Sequence, residues 1–227
     1  MTGSGRKMRL ASALCLAAVL ASPAPAVGTD AASCHCFRDR SFDPSRPSAA
    51  DAYILATARN SLLSAALGVS KRELVMAEMG GASPDDLWVA HWAARRLERD
   101  ADELLSRRQA GGSWEAALGG AGAGRLGAAF EKALGARAPD AALGSVAVDD
   151  VVMLRLRIPE AAVAALRAAG ASSSETVVAS LLALRTGRRP EELLALARRG
   201  PATWGTLLRE AGLAPRDVEA AIRQAVR

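Results

Sequence analysis

Aromatic residues make up only 4% of this 227-residue chain, with one tyrosine and three phenylalanines. With so few rings and only short β-branched runs, a strand-rich core has little to be built from. The dominance of Ala and Leu favours helices instead. Histidine occurs twice, as His35 and His91. No Asp-His-Ser or Cys-His pairing is evident around His91, and no nucleophile–base pair can be named, so no enzyme activity is expected. The C-x-x-C-H haem attachment motif is absent. Beyond residue 26 no apolar run approaches the ~20 residues needed to cross a bilayer. Lysine is nearly absent, and Arg replaces it almost throughout; the pI of about 9.7 reflects that composition.

The first 26 residues read as a secretory signal. Arg6, Lys7 and Arg9 form a positive n-region, Leu10 to Leu20 an apolar h-region, and Ala24-Pro25-Ala26 an A-x-A cleavage site. Ala31-Ala32-Ser33-Cys34 lacks the leucine of a lipidation box, so no lipid anchor is expected. All three charges of the signal are positive, so the formal net charge of +5 falls to +2 once it leaves. That balance does not indicate a nucleic-acid binder. The expected location is exported, periplasmic or secreted.

What is present is one unit used twice. Ser61 to Gly111 aligns with Asp150 to Gly200 at a constant shift of 89, with thirteen identities among 51 positions. Gly81-Ala82-Ser83 matches Gly170-Ala171-Ser172, Glu103-Leu104-Leu105 matches Glu192-Leu193-Leu194, and Trp114 matches Trp204 after one inserted residue. A unit of this size exceeds the usual solenoid periods. It predicts an all-α, pseudo-symmetric pair of tandem modules, each of five to six short helices.

The helix starts are well marked. The first helix is expected from Ala49 to Leu67, with Gly68 as its C-cap. Ser70 to Glu73 and Ser172 to Glu175 read as capping boxes. Ser83-Pro84 and Pro190 read as helix openings. Ser113 caps a turn at Trp114. Leu126, Phe130 and Leu134 are expected on one helix. Asp149 to Arg157 has strand character, but its register with the first copy argues for a helix. The resulting division is a signal over 1–26, an extended Cys-containing lead-in over 27–48, a first module over 49–135, a linker over 136–146 and a second module over 147–227.

Few constellations could carry chemistry. Cys34, His35 and Cys36 combine two thiols and an imidazole, which suits copper or zinc. Three adjacent residues rarely all reach one ion, so a disulfide, within the chain as Cys34–Cys36 or between chains, is the favoured expectation and no cofactor is required. The acidic pairs Asp85-Asp86, Asp102-Glu103 and Glu191-Glu192 fall in helix first turns, where carboxylates favour the dipole. Trp88, Trp92, Trp114 and Trp204 are expected in the core. His91 is expected on a helix face. From Trp204 through Gly212 to Arg227 the pattern resembles a helix-turn-helix, with Val218 and Ile222 inward and Arg216 and Arg223 outward.

Cys34-His35-Cys36-Phe37, the lead-in to Pro47 and Asp85-Asp86-Leu87-Trp88-Val89-Ala90 are similar to a group of uncharacterised exported bacterial proteins beginning C-H-C-F. That resemblance covers the N-terminal third and implies no activity, catalytic residue or cofactor. The function expected is a non-catalytic binding or scaffolding protein of the bacterial cell envelope, with a protein partner or a second copy of itself, and with an apolar groove between the copies as the docking surface for a partner helix or peptide. The alternative is a thiol-redox or metal-binding protein acting through Cys34, His35 and Cys36. A second alternative, a nucleic-acid binder, requires that the chain is not exported.

Overall fold

Polar caps and glycines set most of the element boundaries. A computed structural model describes residues 37–119 and 124–226, and every regular element among them is helical. In order they are α1 (Asp51–Leu67), α2 (Lys71–Met79), α3 (Pro84–Leu97), α4 (Ala101–Gly111), α5 (Trp114–Leu118), α6 (Ala128–Gly135), α7 (Asp140–Arg155), α8 (Glu160–Ala168), α9 (Ser173–Thr186), α10 (Pro190–Arg199), α11 (Trp204–Glu210) and α12 (Val218–Ala225). A 3-10 turn, Pro215–Asp217, leads into α12.

Side-chain oxygens of Ser70, Ser83, Asp100, Ser113, Ser172 and Thr203 accept from backbone N–H groups in the first turns of α2, α3, α4, α5, α9 and α11. Each such cap stabilises its helix by about 1 kcal/mol. At Ser172 the full box forms, because Glu175 accepts the Ser172 N–H at 2.9 Å. At Ser70 only the hydroxyl half of the expected box is made.

Three expectations shift. α1 starts at Asp51, because Pro44 and Pro47 hold the preceding residues in successive turns. Leu126 precedes α6 and is separated from it by Gly127 at φ +83°, yet it is buried. The expected linker is helical from Asp140 onward: Pro139 presets the chain at the N-cap, and Asp140-Ala141-Ala142-Leu143 continues into α7. The stretch with strand character is therefore the C-terminal part of a 16-residue helix.

α1 buries residues around most of its circumference, at Ile54, from Ala56 through Leu63 and at Ala66, which is the mark of a central helix. It packs against α9 and α12. α7 packs against α3, α6 and α9. Ile54 and Leu62 are fully buried, and each such side chain contributes about 1.5–3 kcal/mol. Gly144 on α7 allows a close approach to α3: a Cβ there would lie 2.9 Å from the Asp85 Cβ. α2 and α4 bury little besides Leu74, Glu78 and Leu104, so they sit at the edge of this core.

The residues ahead of α1 strap onto α11. Thr203 Oγ1 donates to the Pro47 carbonyl at 2.8 Å. The Asp51 carboxylate accepts from the Trp204 and Gly205 N–H groups at 3.3 and 2.9 Å. Gly205 is needed because a Cβ would come within 2.9 Å of the Phe42 ring and of the Pro47 oxygen. Arg209 completes the contact, 4.5 Å above the Phe42 ring.

Candidate functional site

Cys34, His35 and Cys36 lie outside the described residues. Among the described residues, no group of three or more His, Cys, Asp or Glu side chains comes together as a metal cluster. Phe37, which follows the Cys-His-Cys motif, packs edge-on against Tyr53 of α1 at 5.9 Å.

The acidic pairs sit where the dipole argument puts them, in the first turns of α3, α4 and α10. Asp86 also accepts from the Trp114 indole at 2.8 Å, which ties α3 to α5. Glu103 pairs with Arg99, and Glu192 with Arg189. His91 is half-buried on α3. Burial lowers its pKa, and the nearby charges of Asp102, Glu73 and Asp100 oppose that shift. All four tryptophans are buried. In the C-terminal hairpin, Val218 and Ile222 point inward and are fully buried. Arg223 pairs with Glu219 at 2.7 Å, and Glu219 also holds Lys71 at 2.6 Å. Arg216 is exposed beside Asp217. α12 thus spends its buried face on α1 and α9, and part of its charge on ion pairs.

The residues that come together most suggestively form a groove among α3, α6, α7 and α8. Its walls are Trp92, Phe130, Val146, Met153 and Val163, with Asp149, Asp150 and Glu160 along the edge. The cavity is about 320 Å³. The Trp92 and Phe130 rings lie 4.6 Å apart and form its aromatic floor.

Two arginines fix the acidic edge. Arg96 donates to Asp150 at 2.7 Å and lies 4.8 Å over the Trp92 ring, while the Trp92 indole donates to the same carboxylate oxygen at 2.9 Å. Arg167 forks onto Asp149 with contacts of 2.7 and 3.0 Å and also donates to the Ala171 carbonyl at 2.7 Å. Burial raises the Asp149 pKa, and the hydrogen bonds and charge of Arg167 partly offset that rise. Both carboxylates are braced in place and oriented by their partners. Glu160 is exposed and has no ion-pair partner among the described residues. Chemically, the arrangement offers an apolar trough with a negative lip, suited to recognition.

Sequence reasoning placed Trp92 in the core, which is right for its burial; it expected an apolar groove between the copies but named none of the residues that line this one. Asp149 and Asp150 gain meaning only from arginines 18 and 54 positions away. The available signal was two adjacent acids on an otherwise apolar helix. The same kind of signal marks Arg59, Asn60 and Ser61 on α1, all buried, with Arg59 and Asn60 bonded to Glu78 of α2 at 3.3 and 3.2 Å.

Compared with protein-family models, curated proteins and solved structures, the chain has no match, so no relative's chemistry is carried onto these residues.

Proposed function

We propose that this chain is an exported, non-catalytic helical protein of the bacterial cell envelope, built from two tandem copies of one module and used to bind or scaffold a protein partner. The observation that carries the binding role is the groove: four helices, two from each half of the chain, contribute an apolar wall that stays partly open. An amphipathic helix or a peptide with apolar anchors fits such a trough, and a basic residue on it would meet Glu160 at the lip.

Support for two copies comes from the helix starts. α1 and α7 begin at Asp51 and Asp140, α2 and α8 at Lys71 and Glu160, α3 and α9 at Pro84 and Ser173, and α4 and α10 at Ala101 and Pro190; each pair is 89 apart. α5 and α11 begin at Trp114 and Trp204, and α6 and α12 at Ala128 and Val218, 90 apart. A polar bridge recurs at the same shift. Asn60 meets Glu78 between α1 and α2, and Asp149 meets Arg167 between α7 and α8.

The test is site-specific photo-cross-linking in the native envelope. A photoreactive side chain at Ala164, in the groove, should capture a protein partner; the same group at Arg199, on α10, should not. Val163→Asp should abolish the adduct. Equal labelling from both positions, or none, contradicts the reading. Export is tested separately by N-terminal sequencing, which should begin at Val27.

A second reading assigns a thiol-redox or metal-binding role, with copper or zinc, to Cys34, His35 and Cys36. In its favour, the segment following the motif is pinned to α1 and α11, which would give a reactive group a fixed address. Stoichiometric metal lost in Cys34→Ser, Cys36→Ser would support it. A metal-free protein with both thiols in an unreactive disulfide would not.

A further inference from the structure

Each half of the chain lends its first long helix to the other half. α1 is buried against α9 and α12, and α7 is buried against α3 and α6. The polar bonds follow the same rule. Asp51 at the start of α1 caps α11, and Asp140 at the start of α7 pairs with Arg108 of α4. Trp92 and Arg96 of α3 hold Asp150 of α7, and Lys71 of α2 holds Glu219 of α12. Thr203 holds the Pro47 carbonyl ahead of α1. Against this two-way embrace, the covalent joint between the halves is slight. Four residues, 136–139, separate α6 from α7, and Arg137 among them sits at φ +52°, a left-handed conformation that a non-glycine residue resists.

From this packing we propose that the chain pairs with a second copy of itself by exchanging halves about residues 136–139. Residues 37–135 of one chain then dock onto residues 140–226 of the other, and the reverse. Every inter-half contact named above is kept, because the two surfaces are already complementary; they only change from one chain to two. What changes is the joint, which opens and releases Arg137 from its left-handed turn. Short joints under such strain are a recognised route to exchanged dimers. The apolar faces that α1 and α7 bury against the opposite half also mean that neither half can cover its own apolar surface alone, so an opened chain has a strong drive to find its complement. The inference uses only the packing and stands whether or not the groove binds another protein.

The test uses two full-length variants that are each damaged at one inter-half pair. In Arg96→Asp, two acids face each other across α3 and α7; in Asp150→Arg, two arginines do. Within a closed monomer neither can repair itself. In an exchanged heterodimer one chain's Arg96→Asp half meets the other's Asp150→Arg half, and the remaining two halves restore the native pair, so both sites are satisfied together. The variants, carrying different mass tags, are denatured, mixed and refolded, then weighed by native mass spectrometry. The expected product is a one-to-one heterodimer at twice the single-chain mass, in several-fold excess over either homodimer. In parallel, the wild-type chain lacking Ala136 to Ala138 should be a dimer, because the shortened joint cannot fold back. Finding only single-chain masses in the mixture overturns the proposal. Aggregation of the mixture together with a folded, monomeric loop-deleted chain overturns it as well.

Discussion

Asp51 is asked to do two things, to open α1 and to cap α11. Replacing it with Ala leaves two backbone N–H groups without their acceptor, and the expected cost is about 1–2 kcal/mol in urea unfolding. Gly144→Ala sets two effects against each other. Helix propensity favours Ala by about 1 kcal/mol, but the new Cβ would press on Asp85 well inside contact distance. Overpacking typically costs about 1–3 kcal/mol, so a net loss of stability is predicted; a rise in the unfolding midpoint would show that α3 and α7 can part at no cost. Glu78→Ala removes the carboxylate facing buried Arg59 and should cost about 3 kcal/mol by the same assay. The caps behind such effects were readable in advance, because Ser, Thr and Asp act on N–H groups two or three residues away. The partners of Asp51, Asp150 and Glu78 were not, since they come from elements brought together only by packing.

At the scale of elements, α3 carries a pH dependence. Burial holds His91 below its usual value of 6.5, so the folded chain prefers the neutral ring. On acidification the unfolded chain takes up a proton first, and stability falls as pH drops from about 6.5 toward the folded value. His91→Gln should flatten that part of the stability–pH curve; an unchanged slope would show that His91 is not its source. Helix existence and order were legible because the apolar spacing, the caps and the Gly breaks agreed with one another. The misplacement of Leu126 has a local cause. Leu126 kept the helical spacing but lies across Gly127 from α6, where a left-handed glycine interrupts the run. The strand-like stretch of α7 forms the helix that its register with the first copy indicated: Val151 and Val152 are buried on a helix that packs against α3 and α9, and tertiary burial overrides local propensity there.

For the whole molecule, the interlocking of α1 and α7 is what makes the groove. α7 supplies Asp149, Asp150 and Met153 to it only because that helix lies against α3 and α6 of the other half. The sequence suggested an apolar groove between its two expected copies, but it could not indicate that each half would complete the other. Native-state hydrogen exchange tests this interdependence most directly. If each half is completed by the other's first long helix, the central amides of α1 and α7 should open with the same free energy, equal to that of global unfolding, and a destabilising change in either half should lower both equally. If α1 exchanges through a cheaper opening while α7, α9 and α12 stay protected, the halves are independent and the account fails.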